Sequence, residues 1–132
     1  MKLTRYTDYA LRVLLLLGRN PDKLMSIHEL STACGAPENH VMKVTPTLVR
    51  GGFIASARGR GGGLKLAKAP SEIRLGEVVR ITEGGLDLGE CAECAMADDC
   101  NLNDALSGAG EAFLMALDGF TLADVIAPRK AA

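Results

Sequence analysis

The segment SIHELSTACGAPENHVMKVTPTLVRGG, residues 26–52, decides how this chain is read. Ser26-Ile27-His28-Glu29 has the capping-box form, in which the Ser26 side chain accepts from the backbone of Glu29 and Glu29 reaches back, so a helix begins there. It stops at Cys34-Gly35, and Pro37 suits the first turn of a following helix. Along that second helix Val41, Val44 and Leu48 form one apolar stripe, which leaves Asn39, His40, Lys43 and Thr47 facing outward. A short helix, a glycine turn and a second helix with a polar outer face make a helix-turn-helix unit, whose second helix can enter the major groove of double-stranded DNA. Pro46 lies inside that helix, where it removes one backbone bond and ordinarily costs about 3 kcal/mol. Either the helix is kinked at Pro46, or it ends near Thr45 and a further turn carries Leu48 and Val49. Gly51-Gly52 closes the element in both cases.

Immediately downstream, residues 53–57 (FIASA) and 63–66 (GLKL) read as two short strands around the tip RGRGG at 58–62. This is a β-hairpin wing. Its glycines permit close approach of backbone to a ligand, while Arg58, Arg60, Lys65 and Lys68 supply charge for phosphate or a narrow minor groove. Upstream, Thr4 to Gly18 reads as a helix with Tyr6, Ala10, Val13, Leu14 and Leu17 on one side and Leu11, Leu15 and Leu16 on the other. A helix apolar nearly all round needs cover on more than one side, and in so short a chain a second subunit could supply it. Beyond the wing, Leu75 to Ile81 forms a short helix ending at Gly84-Gly85. Helical spacing returns from Leu102 to Leu117, and Thr121 to Asp124 has the N-cap pattern of a final turn.

The 132 residues suit one continuous domain, with a DNA-binding region over 1–70 and a remainder over 71–132. The charge divides in the same place. Residues 1–70 carry eleven Lys/Arg against four Asp/Glu, whereas residues 71–132 carry four against twelve. One half is therefore suited to a polyanion and the other is not. The longest aliphatic run, Val13 to Leu17, is far short of a membrane span. An acid at Asp8 precedes any apolar stretch and no small-residue cleavage site follows, so the expected compartment is the reducing cytoplasm. No Ser/His/Asp set and no phosphate loop is present, which argues against an enzyme.

Three of the four cysteines fall in CAECAMADDC, residues 91–100, a C-x2-C-x5-C spacing on a loop between helices. Three thiols cannot pair off within one subunit, and spacing this close suits a single metal centre. An iron–sulfur cluster, a structural zinc and a thiol redox switch all satisfy the spacing. Zinc would ordinarily recruit a histidine as fourth ligand, but His28 and His40 both lie in the helix-turn-helix. Their position tilts the reading toward a cluster with an unusual fourth ligand. Cys34 reads instead as a small buried residue at the helix turn.

Taken together, these residues resemble the NsrR/IscR-type winged-helix regulators, the Rrf-two family of bacterial transcription factors. The resemblance runs through LTRYTDYALR (3–12), NHVMKV (39–44), GGFI (51–54), RGRGGGL (58–64), the three-cysteine loop and LDGFTLADV (117–125). The tail looks most like the nitric-oxide-sensing NsrR branch. What the resemblance implies is a mainly α fold with a small β-hairpin wing (α+β), namely a winged helix-turn-helix with a long C-terminal dimerisation helix. It further implies a homodimer reading a palindromic operator, with one iron–sulfur cluster per subunit on Cys91, Cys94 and Cys100. A 4Fe–4S cluster stands ahead of 2Fe–2S. In the NsrR branch a carboxylate from the other subunit can complete the site, and the matching residue is Asp8, which otherwise reads as a first-turn acid favoured by the helix dipole.

The function so implied is cluster-dependent repression relieved by nitric oxide. Its rivals are an iron or iron–sulfur status sensor, a zinc-bound or thiol-redox regulator, and an iron–sulfur protein that does not bind DNA. Three positions depart from the family pattern. The first cysteine pair is closer than is common, Pro46 lies within the third helix, and Glu38 stands where a basic residue usually precedes Asn-His. The expected operator accordingly differs from that of known relatives.

Overall fold

The computed structural model describes residues 2–129. Its helices are α1 (Arg5–Arg19), α2 (Ile27–Cys34), α3 (Glu38–Arg50), α4 (Leu75–Glu83), α5 (Leu102–Asp118) and α6 (Leu122–Ile126). Strands β1 (Ile54–Ala57) and β2 (Gly63–Leu66) form an antiparallel hairpin with Ile54 opposite Leu66 and Ala57 opposite Gly63. A mainly helical chain with one hairpin is thus what the sequence specifies.

The α1 helix is the hub. Thr4 caps its start, accepting from the Thr7 amide, and Ala10, Val13, Leu14 and Leu17 are almost fully buried. Helices α2, α3, α4 and α6 all pack against it. Leu11, Leu15 and Leu16 remain half-buried on its other side. Most of the cover that the all-round apolar pattern demanded therefore comes from the chain itself. Leu30, Val41, Val44, Leu48, Phe53, Ile54, Leu64, Ile73, Val78 and Leu122 complete the same core.

The helix-turn-helix forms as its local chemistry dictates. Ser26 accepts from the Glu29 amide, and Gly35 ends α2 with φ 65°, a conformation that costs a glycine little. Helix α3 continues through Pro46 to Arg50 and does not stop at Thr45. Pro46 leaves the Met42 carbonyl without its usual intrahelical donor. One residue on, the Tyr6 hydroxyl donates to the Lys43 carbonyl at 3.2 Å and lies 2.5 Å from Thr47 Oγ1, so α1 braces the weakened turn.

Met25 forms an isolated bridge to the wing, its amide bonding the Leu64 carbonyl at 3.0 Å and its carbonyl accepting from the Leu64 amide at 2.8 Å. A Cβ on Gly63 would stand 2.9 Å from the Met25 carbonyl oxygen, so glycine permits this approach.

Helices α4 and α5 are joined by a forked ion pair. Arg80 Nη1 and Nη2 meet Asp118 Oδ1 and Oδ2 at 2.7 and 2.8 Å, and Arg74 donates to the Asp118 backbone carbonyl at 2.9 Å. The hydrogen bonds from Arg80 hold the Asp118 carboxyl below the usual carboxylate range, outweighing partial desolvation. Gly76 makes room for this arrangement, because a Cβ there would lie 1.9 Å from Asp118 Oδ1 and 2.8 Å from the Leu114 carbonyl. Gly76→Ala is expected to lower the urea midpoint at unchanged slope, by about 1–3 kcal/mol of stability, the usual range for overpacking.

Candidate metal centre and nucleic-acid interface

On α3, Asn39 and Lys43 are exposed as the helical pattern requires. His40 and Thr47 also hold the helix in place. The His40 ring sits edge-on to Tyr9 at 5.4 Å between centroids, and Thr47 meets the Tyr6 hydroxyl. Both are half-buried, so each offers only part of its surface to a ligand. Arg50, which the sequence reading passed over, is exposed in the last turn, where Nη2 donates to Thr47 Oγ1 at 3.2 Å. Its spacing of seven from Lys43 was the signal that could have found it, since positions i, i+4 and i+7 share one face.

The wing presents Arg58, Arg60 and Lys65 exposed, and among the described residues none of the three is in an ion pair. Gly59 and Gly61 turn the tip with φ of 95° and 76°. Lys68 is partly committed elsewhere, its ammonium lying 4.8 Å from the centre of the Phe53 ring. Exposed guanidinium and ammonium groups without an ion-pair partner, on a glycine tip and along one helix face, have the chemistry that phosphate contacts require.

The cysteine loop leaves α4 at Gly84, whose φ is 68°, and reaches α5 through two short 3-10 turns at Cys91–Glu93 and Ala97–Asp99. Cys91, Cys94 and Cys100 line one small pocket of about 70 Å³ with Met96, Ala97, Leu102 and Asn103. Cys94 is exposed and the other two are half-buried. Gly89 packs closely beside Cys91, where a Cβ would lie 2.7 Å from Leu106 Cδ1 and 3.3 Å from Cys91 Sγ. Among the described residues, no group of three or more His, Cys, Asp or Glu side chains is gathered as a ready metal site. The three thiols share a pocket without converging as ligands. As a donor set they suit a soft metal centre, with one position to be filled from outside the loop.

Asp8 does not line that pocket. It lies in the first turn of α1, paired with Arg12 at 2.8 Å, and both side chains are about half exposed. Arg12 in turn donates to the Cys34 carbonyl at 3.1 Å and lies 5.8 Å from the centre of the Tyr9 ring. Cys34 is buried at the end of α2, and burial pushes its thiol up from the ordinary value despite the opposing charge of Arg12. The start of α1 is also tied to the start of the cysteine loop. Glu83, the last residue of α4, accepts from the Thr4 amide at 2.7 Å and from its hydroxyl at 2.9 Å. Beneath this contact the buried Thr7 hydroxyl donates to Thr82 Oγ1 at 2.8 Å.

No helix among the described residues is long and apolar enough to cross a membrane. The chain matches the Rrf2 family, described as an iron-dependent transcriptional regulator, over residues 3–128. It is 45% identical over 135 residues to the HTH-type transcriptional regulator NsrR of Geobacillus kaustophilus, covering 98% of this chain and 92% of that protein. It is 40% identical over 132 residues to the regulator of the same name from Bacillus subtilis, covering 96% and 90%. Among solved structures it is similar to T. potens IscR, with a TM-score of 0.78 at 22% identity over 96% of this chain and 86% of the other. Staphylococcus aureus CymR gives the same TM-score at 19% identity, covering 97% and 100%. These two likenesses establish the winged-helix fold.

Proposed function

Because this chain belongs to the Rrf2 family of iron-dependent transcriptional regulators, we propose that it is a homodimeric repressor whose operator binding depends on an iron–sulfur cluster and is relieved by nitric oxide. The observation that carries this reading is the single pocket lined by Cys91, Cys94 and Cys100, in a chain whose other half presents an unpaired basic wing beside a helix-turn-helix. The three thiols would hold the cluster, of 4Fe–4S type in preference to 2Fe–2S, with Asp8 of the partner subunit as fourth ligand. Bound iron would supply the site at which nitric oxide reacts. The chain would act in the cytoplasm on a palindromic operator, one half-site per subunit.

The residues around Asp8 support a route from that site to the DNA. If Asp8 Oδ2 were to ligate the metal, Arg12 would lose that partner, and Arg12 touches both the end of α2 and Tyr9, against which His40 of α3 is packed. Occupancy of the cysteine site would thereby reach both helices of the DNA-reading unit. A change from 1:99 to 99:1 in DNA-competent protein requires a coupling of about 5.5 kcal/mol.

The test is anaerobic native mass spectrometry with operator titration, before and after nitric oxide. A dimer with one cluster per subunit that releases DNA on treatment is expected; unchanged binding after the cluster has reacted would overturn the reading. The iron dependence in the family's description favours a second reading, in which cluster occupancy itself is the signal. In that case apo and loaded protein differ in operator affinity, while nitric oxide at constant occupancy has no effect.

The wing makes a separate prediction. Replacing Arg58 and Arg60 together with alanine should reduce the dependence of log affinity on log salt by roughly 0.9 for each phosphate that is no longer neutralised. Titrations between low and physiological salt measure this slope.

A further inference from the structure

Glu38 is the first residue of the recognition helix α3, and its carboxylate is half exposed. N-terminal residues of such a helix contact base edges. An acid so placed is favoured by the helix dipole but repelled by DNA phosphates, so the dipole alone is a poor reason to keep it at this surface. The structure adds a second observation. Glu38 Oε1 lies 2.5 Å from Nδ1 of His28, in the first turn of α2. With the carboxylate ionised, Nδ1 carries the proton and donates it. The neighbouring acid of α2, Glu29, is occupied by Lys23 at 3.4 Å, which leaves His28 to Glu38. One carboxylate oxygen is thus held and the other is left available as an acceptor.

We propose that Glu38, oriented by His28, reads a cytosine in each operator half-site by accepting from its N4 amino group. The inference rests on the reading of α3 as the helix that enters the groove. In the major groove the base-edge amino donors are cytosine N4 and adenine N6. Adenine presents its N7 acceptor beside N6, which repels a carboxylate, whereas cytosine has no acceptor beside N4 on that edge. A carboxylate at this position therefore selects C·G over A·T. Glutamine, which pairs bidentately with adenine N6 and N7, selects the reverse.

The test is selection from a randomised DNA duplex library with the full chain, purified anaerobically with its iron and also as apo protein, alongside Glu38→Gln and His28→Ala. The wild-type chain should enrich sites with a cytosine at one position per half-site, preferred about tenfold over the other bases. Glu38→Gln should move that preference to adenine and leave the other selected positions unchanged. His28→Ala should keep the cytosine preference but weaken it, as befits a positioning residue. Identical sites for wild type and Glu38→Gln would overturn the proposal, as would an equal rise in affinity on every sequence, which is the behaviour of an acid that only repels phosphate. Enrichment of no sequence by either form of the protein would overturn the DNA-reading assignment itself.

Discussion

Cys94→Ala is expected to abolish cluster loading and to weaken operator binding about a hundredfold, the loss that follows when the DNA-competent form falls to about one part in a hundred. Cys94 is the most informative of the three thiols to remove because it is exposed on the loop between α4 and α5 and contributes nothing to the core. Its side chain lines the cysteine pocket and accepts a single hydrogen bond, from the Met96 amide at 3.5 Å. Thermal unfolding of the apo variant should therefore match that of the apo wild type, which separates loss of the metal from loss of the fold. Iron and sulfide per chain, read beside a DNA titration under anaerobic conditions, check the prediction. Full loading without Cys94, or full binding without loading, would each contradict the assigned ligand set.

Ala109→Arg combined with Ala112→Arg should produce a monomer that binds operator DNA at least a hundredfold more weakly. Helix α5 spans 17 residues, yet Gly110 and Leu114 are its only buried positions among the described residues. Leu102, Ala105, Ala109, Ala112 and Ala116 recur along it at alternating intervals of three and four, all exposed, which is the a/d spacing of a helix that packs against another helix. Alanines on this seam would allow a second copy to approach closely, and arginine there would meet the same charge on that copy. In the single chain both side chains point to solvent and arginine is a good helix former, so the protomer should still fold. Two half-sites held in one dimer gain about 10²–10⁴ in avidity over one, and that gain is what the monomer forfeits. Sedimentation equilibrium with DNA titration tests both parts of this expectation; a dimer persisting at wild-type affinity would place the interface elsewhere.

Much of the architecture was legible because it is set by local chemistry. The capping serine at Ser26, the left-handed turn at Gly35 and the glycine-turned tip at Gly59 and Gly61 are each specified within four residues. Pro46 could be seen as a weakness but not resolved, because the contacts made around it come from Tyr6, forty residues away in sequence. The bridge from Met25 to Leu64 and the fork of Arg80 on Asp118 were likewise invisible, each joining segments that share no periodicity. The outward face of α3 was read from helical spacing, which identifies a side but not the neighbours that half cover His40 and Thr47.

The same division applies to the helix-turn-helix segment and the cysteine loop. By itself the sequence determined the helices, the wing, the segregation of charge and a soft donor set at Cys91, Cys94 and Cys100, because capping, periodicity and thiol spacing act over a few residues. Tertiary structure alone decided that those thiols line one pocket, that α1 is covered largely by its own chain, that Asp8 is held by Arg12, and that His28 holds Glu38 at the head of the recognition helix. The pocket depends on where the loop turns back between α4 and α5, and the other three on which helices pack side by side. Such packing is set by shape and burial across the whole core, which no local pattern encodes.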